Sequence, residues 1–236
     1  MSQKYIGGFI TKSPVAPTAL AASGMWTLDQ AMQLKKQGLW PPIAIGQAFG
    51  GGFFAGQIST AGNGIADYNL VVGPIASAQS TLQWKTTNTS TTGTSSVIDG
   101  PTNSSNMNNA SHPAGQFCEA VNVGGFTDWY MPAKNELEVC YYNLKPTTQS
   151  NNTSGSGINA NAVPARASAY TAGTPAQTTA ADFKDTGVED FAPNYYWSST
   201  GFSATYGAMQ TFYEGTQVNY GKINSYRVRA IRRVAV

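Results

Sequence analysis

Gly124-Gly125-Phe126-Thr127-Asp128-Trp129-Tyr130-Met131-Pro132-Ala133-Lys134-Asn135-Glu136-Leu137 is the stretch that ends one helix, buries a tryptophan and starts another. The paired glycines stop a helix that Ser111, a good N-cap, opens and that runs to about Val121. A second helix starts after Met131-Pro132, carries Leu137, Val139 and Cys140 to Leu144, and is closed by Pro146. Asp128 and Trp129, with Trp197 further on, read as core anchors: a large apolar body whose polar edge needs a partner.

Working outward, Gly50 to Ile58 and Tyr68 to Gly73 read as successive strands, with Leu82-Gln83-Trp84 a shorter third. Thr86 to Asn109 is dominated by Thr, Ser and Asn and reads as a long surface loop. The N-x-S/T sequons at Asn88, Asn103, Asn109, Asn151 and Asn152 indicate surface exposure only. Gln149 to Asn161 is a second polar loop. Thr174-Pro175-Ala176-Gln177 has the form of a capping box with proline at the first helical position, predicting a helix that ends before Gly187. From Tyr195 onward strands and turns return. The outline predicts an α+β domain with a mixed or antiparallel sheet, two or three helices and long polar loops.

Residues 1–42 read as a separate segment. Tyr5 to Thr11 is strand-like, and a Pro/Ala/Ser linker runs to Gly24. Thr27 and Gln30 then form a capping box for a helix with Ala31, Met32 and Leu34 on its apolar side. Gly38 and Trp40-Pro41-Pro42 stop that helix. One strand and one short helix cannot bury a core. The segment is therefore expected to attach to a partner or to help the chain oligomerise, with the main domain at residues 43–236.

The 236 residues are 41% apolar but only 11% charged, which speaks against an ordinary helical enzyme whose helices need charged outer faces. A net charge of +2 gives no bulk attraction for nucleic acid. Arg227, Arg229, Arg232 and Arg233 read as one charged face of an edge or terminal strand, against the alternative of a phosphate-binding patch. The start carries no signal peptide pattern, and Leu39 to Ile58, although free of charge, is too rich in glycine and proline for a membrane span. Assembly in a reducing cytosol makes Cys118 and Cys140 free thiols by default, with a bridge between two facing helices as the alternative.

Catalytic constellations are sparse. His112 stands alone at a helix start, where histidine is usually a capping or surface residue. There is no G-x-S-x-G elbow and no metal-ligand spacing. Glu136 and Glu138 point to different sides of their helix; Asp182, Asp185, Glu189 and Asp190 could at most hold a cation weakly. No enzyme activity, metal or cofactor is expected.

The motif Gly124–Leu137, then Tyr195-Tyr196-Trp197-Ser198-Ser199-Thr200, then Tyr226-Arg227-Val228-Arg229-Ala230-Ile231-Arg232, resembles the C-type-lectin-like domains of bacterial and phage surface proteins. That family runs G-G-x-x-D-W-R-L-P-T-x-x-E-L, Y-W-S-S-T and a closing V-R-x-V-R strand, and the resemblance spans residues 43–236. Tyr130-Met131 replaces Arg-Leu, and Ala133 stands where a capping Thr is usual, a loss of about 1 kcal/mol.

Tyr206 to Asn224 is similar to the variable region of proteins diversified by phage and bacterial retroelements. There a frame is held by positions matched here by Gln210, Phe212, Gly215, Gln217, Lys222, Ser225 and Tyr226. The resemblance implies that the interleaved Tyr206, Met209, Thr211, Tyr213, Glu214, Thr216, Val218, Asn219, Tyr220, Ile223 and Asn224 form a ligand-binding face. Alternation places Gln210 and Phe212 on one side of a strand, and Met209, Thr211 and Tyr213 on the other. The segment Ala22 to Gln30 with Gly38-Leu39-Trp40-Pro41 is also similar to a G-V-W-T-L … Q … G-x-W-P segment of phage structural proteins.

These resemblances imply a virion surface protein, on a tail fibre or as a head decoration. Its expected partners are other virion proteins through residues 1–42 and a host receptor or glycan through residues 206–224. No nucleic acid and no membrane insertion are expected, and the expected assembly is a trimer. The alternatives are a bacterial adhesin of the same fold, a purely structural decoration protein, or an enzyme akin to the formylglycine-generating oxidases of this superfamily.

Overall fold

Phe53 to Ile58 combines aromatic and β-branched residues in a short apolar run, the composition that suits a strand buried on both sides. In a computed structural model, which describes residues 43–236 together with Asp29, Met32 and Gln33, this run forms β2 (Gly52–Ile58). Asp29, Met32 and Gln33 are helical and exposed; the expected strand at Tyr5–Thr11, the linker and the rest of the expected helix lie outside the described residues. Contacts divide the chain into Met1–Ala44 with Val236, and Ile45–Ala235.

Two five-stranded sheets build the second unit. One runs β1 (Ala48–Phe49), β2, β3 (Tyr68–Val72), β10 (Ile231–Ala235), with β5 (Ala162–Val163) also on β2. The other runs β4 (Gln79–Gln83), β9 (Ser225–Arg229), β6 (Tyr195–Gly201), β7 (Tyr206–Thr211), β8 (Gln217–Gly221). β6 and β9 run parallel and the other pairs antiparallel. The helices are α1 (Ile75–Ala78), α2 (Gly100–Ser105), α3 (Pro113–Glu119) and α4 (Lys134–Leu144). This is an α+β domain of the expected kind, compatible with a C-type-lectin-like fold.

α4 docks on β2 at a bulge between Phe54 and Gly56. Asn143 Nδ2 donates to Ala55 O at 2.7 Å, and Gly56 lies at φ 129°. A Cβ on Gly56 would stand 2.3 Å from Asn143 Nδ2, so both the backbone angle and the close approach require glycine.

The second sheet is covered on both faces. Tyr196 and Phe212 belong to one core cluster with Tyr141, Phe183 and Phe191. Trp197, Met209 and Val228 belong to another with Trp84, Trp129 and Cys118. Trp129 and Trp197 are buried as expected, and their indole N–H groups donate to Phe126 O (3.2 Å) and Leu82 O (3.2 Å). Asp128 is not a core residue: its side chain is 56% exposed, and it pairs with Arg232 from β10. Cys118 and Cys140 are free, buried and in separate clusters rather than face to face.

Several local expectations are overturned. The loop Thr86–Asn109 contains α2, whose first turn has Pro101 and whose N-cap Asp99 accepts from Thr102 N at 3.2 Å. Asn103 and Asn151 are buried rather than exposed; Asn103 Nδ2 donates to Ser96 O, and Asn151 Nδ2 to Pro175 O. α3 starts at Pro113 with His112, not Ser111, at its N-cap. No helix follows Thr174; only a 3-10 turn forms, at Ala181–Phe183. Pro175 O is taken by Asn151, and Thr178 N donates to Lys145 O at 2.9 Å, so the groups that would nucleate the helix are bonded elsewhere.

β10 is an edge strand as expected, but Arg229, Arg232 and Arg233 do not make a charged outer face; Arg227 alone of the four is half-buried without a carboxylate partner among the described residues. β9 is an inner strand, and Arg229 is buried with its guanidinium on Glu189 (2.6 Å) and on Gly73 O (2.8 Å). Arg233 reaches the buried carboxylate of Glu136 at 2.8 Å. Glu138, also buried, pairs with Arg166 and accepts from Tyr170 (2.7 Å) and Asn159 (2.6 Å). Glu136 and Glu138 are thus separate buried carboxyl groups, each with its own arginine.

Candidate binding face

The chain from Tyr206 to Asn224 forms β7, a turn, β8 and a second turn into β9. The first turn is pinned from several sides. Gly215 N donates to Thr211 O at 3.1 Å, and Gln210 Nε2 donates to Gly215 O at 2.9 Å. Thr147 Oγ1 and Asn152 N donate to the carbonyls of Tyr213 (3.0 Å) and Glu214 (2.7 Å). Gly215 has φ 79°, and a Cβ there would lie 2.4 Å from the ring of Tyr141. Of the frame positions, Gln210, Phe212, Gly215 and Lys222 are buried; Ser225 is exposed, and Tyr226 belongs to the face itself.

Strand register decides which of the interleaved residues share a side. Met209 pairs with Val218 and Gly207 with Tyr220, so Val218 and Tyr220 are on the Met209 side. Ala208 pairs with Asn219 and Tyr206 with Gly221, which puts Asn219 and Tyr206 on the opposite side. Ile223 and Asn224 are exposed in the second turn, and Glu214 and Thr216 are half-buried in the first, where Thr216 Oγ1 donates to Glu214 Oε1 at 2.8 Å. The eleven predicted residues therefore do not form one patch.

Two of them are not surface residues at all. Met209 and Thr211 are each 1% exposed. Tyr195, Val218 and Tyr226 pack against the cluster that holds Met209, and Thr211 Oγ1 is used inside the turn, accepting from Thr216 N at 2.9 Å.

What the fold assembles on the Met209 side is a group of four tyrosines. Tyr195 stands with ring centroids 5.9 Å from Tyr213, 5.9 Å from Tyr220 and 5.3 Å from Tyr226; Tyr220 and Tyr226 are 5.6 Å apart. Trp197 backs the group, 5.2 Å from Tyr226. Tyr213 Oη donates to Tyr195 Oη at 3.3 Å. Tyr220 is 40% exposed and the other three are half-buried. That hydrogen bond, with burial, raises the Tyr213 phenol above its ordinary range, and burial raises that of Tyr226. The face is thus aromatic and bears hydroxyls. Sequence reasoning missed Tyr195 and Tyr226; the signal was available in the alternation of Tyr195, Tyr196 and Trp197, which sets Tyr195 on the Trp197 side.

His112 is buried, and its ring nitrogens reach Thr91 Oγ1 and Asn109 Oδ1 at 2.8 Å each, so no carboxylate orients it. Burial, with Lys85 and Lys222 nearby, pushes its imidazole down to about 4. Glu189 is engaged by Arg229 and by Ile75 N (2.8 Å), and Asp190 accepts from Thr186 N (3.1 Å). Among the described residues no three His, Cys, Asp or Glu side chains are grouped to hold a metal, and no helix is long and apolar enough to cross a membrane.

No curated protein matches the chain. The model of one family, the Lcl C-terminal domain, matches residues 74–232, from the start of α1 into β10, and leaves β1 to β3 outside the match. The chain therefore belongs to the Lcl C-terminal domain family, and with it to the lectin-like variable surface proteins.

Proposed function

We propose that this protein is a surface component of a bacteriophage particle that contacts a host receptor or cell-surface glycan and carries out no chemistry. The observation that carries the reading is the tyrosine group Tyr195, Tyr213, Tyr220 and Tyr226, held on a sheet whose reverse side is core. Tyrosines offer contact area with little rotamer entropy to lose, and each hydroxyl both donates and accepts. The pyranose rings of a glycan, or apolar and amide groups of a receptor loop, are the partners such a surface fits. Residues 1–42 attach the domain to other virion proteins, and the assembly is a trimer.

The test is binding of the purified full chain to host cells, beside the variants Tyr220→Ala and Tyr213→Ala. The reading expects saturable binding that both variants weaken about tenfold or more while circular dichroism is unchanged. Binding that is absent, or that both variants retain in full, overturns it. Detection of the chain on bacterial envelopes and not in purified particles would favour the adhesin alternative.

A further inference from the structure

Lys85 and Lys222 are two buried lysines, 7% and 1% exposed, and among the described residues neither has a carboxylate partner. The Lys85 ammonium is saturated: it donates to Thr89 O (3.2 Å), Ser90 O (2.7 Å) and Thr91 Oγ1 (3.1 Å). The Lys222 ammonium is not. It has Thr89 O at a long 3.5 Å and the Trp84 ring at 4.3 Å, with two N–H groups left over. A buried ammonium with unfilled donors and a like charge beside it is costly, and an apolar side chain would remove that cost.

Lys222 lines a hollow of about 330 Å³ between the Ser/Thr-rich loop 90–95 and the turn 201–204. Ser90, Thr92 and Ser95 line it with hydroxyls that have no other partner among the described residues. No acidic residue lines it. Phe202, 67% exposed, stands at its edge. Lys222 N donates to Thr205 O at 2.9 Å and Lys85 N to Lys222 O at 3.1 Å, so both walls and the lysine are tied together.

We propose that this hollow is a binding site for an anionic group, a phosphate, sulfate or carboxylate, with Lys222 supplying the counter-charge and the loop hydroxyls the remaining hydrogen bonds. An oxyanion has the acceptors that the lysine lacks, and charge-assisted bonds to it are the strong kind. Burial, with the Lys85 charge beside it, pushes the Lys222 ammonium down to about 8, and a bound anion would raise it again. The aromatic ring at the edge suits an anion carried on a sugar. The site is distinct from the tyrosine group and does not depend on it.

The experiment follows the full chain by thermal unfolding and by NMR titration of the Lys222 ammonium. Inorganic phosphate or sulfate is compared with chloride at matched ionic strength. The proposal expects a saturable rise in Tm and a raised Lys222 pKa in phosphate or sulfate alone. Lys222→Met should weaken the anion about tenfold or more. Should that variant not fold, the double change Thr92→Val with Ser95→Ala should weaken it in a folded protein. Tyr220→Ala should leave the anion response intact, which separates this site from the tyrosine face. A sulfated or acidic oligosaccharide that binds more tightly than the inorganic ion identifies a glycan as the source; equal affinity identifies the free ion. Equal Tm and equal Lys222 pKa in phosphate and chloride, or a full response in folded Lys222→Met, overturns the proposal.

Discussion

Arg232 in β10 grips Asp128, 104 residues earlier, through two parallel bonds: Nε to Oδ1 at 2.7 Å and Nη2 to Oδ2 at 2.8 Å. The same guanidinium donates to Gly50 O at 2.9 Å and lies 3.7 Å from the centre of the Phe126 ring. One side chain thus joins the Gly-Gly–Trp segment, the first hairpin and the closing strand. Lysine cannot match this planar fork. Arg232→Lys should destabilise the fold by about 1–2 kcal/mol, read from urea unfolding. Arg232 also holds the Asp128 carboxyl below its usual range. A depressed carboxylate stabilises above its unfolded pKa and loses that contribution as pH falls through the folded value. The gap between the native protein and Arg232→Lys should therefore close below about pH 4, near the unfolded carboxylate value.

Glu138 is a buried carboxylate whose charge is met by Arg166, itself 12% exposed. Arg166→Met leaves that charge with neutral donors only. The expected loss is about 3–5 kcal/mol, far above that of a surface pair. A loss under about 1 kcal/mol would show that Tyr170 and Asn159 alone are enough to hold the Glu138 side chain in place.

Acceptors from elsewhere in the fold serve the first turn of α4, where Ala133 has no side-chain oxygen: Val97 O accepts from Asn135 N at 2.8 Å, and Thr200 serves Lys134. Thr200 Oγ1 accepts from Lys134 N at 2.9 Å and donates to Ser96 O at 2.8 Å. Glu136 Oε2 accepts from Ala133 N at 2.8 Å, the other half of a capping box. The N-terminus of α4 is capped across the fold, and the loss expected from Ala133 is offset. Thr200→Val should cost about 1–2 kcal/mol, measured by chemical unfolding, while Ala133→Thr should gain little.

His112 is neutral at pH 7, with its pKa pushed to about 4. The unfolded chain takes up a proton between about pH 6.5 and 4 before the folded one does. Its contribution is therefore full above pH 6.5 and falls as the solution is acidified, by up to about 3 kcal/mol. His112→Gln keeps polar groups but does not titrate, so the native-minus-variant difference should shrink over that window. A difference that is flat with pH would contradict the placement.

The interleaved residues should separate by energetics. Met209→Ala empties space in a tryptophan-lined core and should cost about 2–4 kcal/mol in stability. Tyr220→Ala, at 40% exposure, should cost about 1 kcal/mol or less and act on binding instead. Paired unfolding and cell-binding measurements check both.

Much was legible along the chain. Composition and turn chemistry set out β2, β3, the start of α4 and the return to strands at Tyr195, because each is encoded in a few neighbouring residues. The burial of Trp129 and Trp197, and the turn at Gly215, followed from residue type alone. The failures share a form. The helix expected after Thr174 is pre-empted by Lys145 and Asn151, and three of the four arginines expected on a charged outer face, Arg229, Arg232 and Arg233, turn to Glu189, Asp128 and Glu136.

The binding face divides in the same way. Alternation within β7 alone separates Gln210 from Met209, since successive side chains leave opposite faces. It does not say which face is covered. Only pairing with β6, β8 and β9 brings Tyr195, Tyr220 and Tyr226 together over Met209 and turns Asn219 away. Periodicity and turns belong to short range and are written in the sequence. Coverage and charge pairing depend on contacts between residues up to a hundred or more positions apart, as with Arg232 and Asp128, and the tertiary structure decided them.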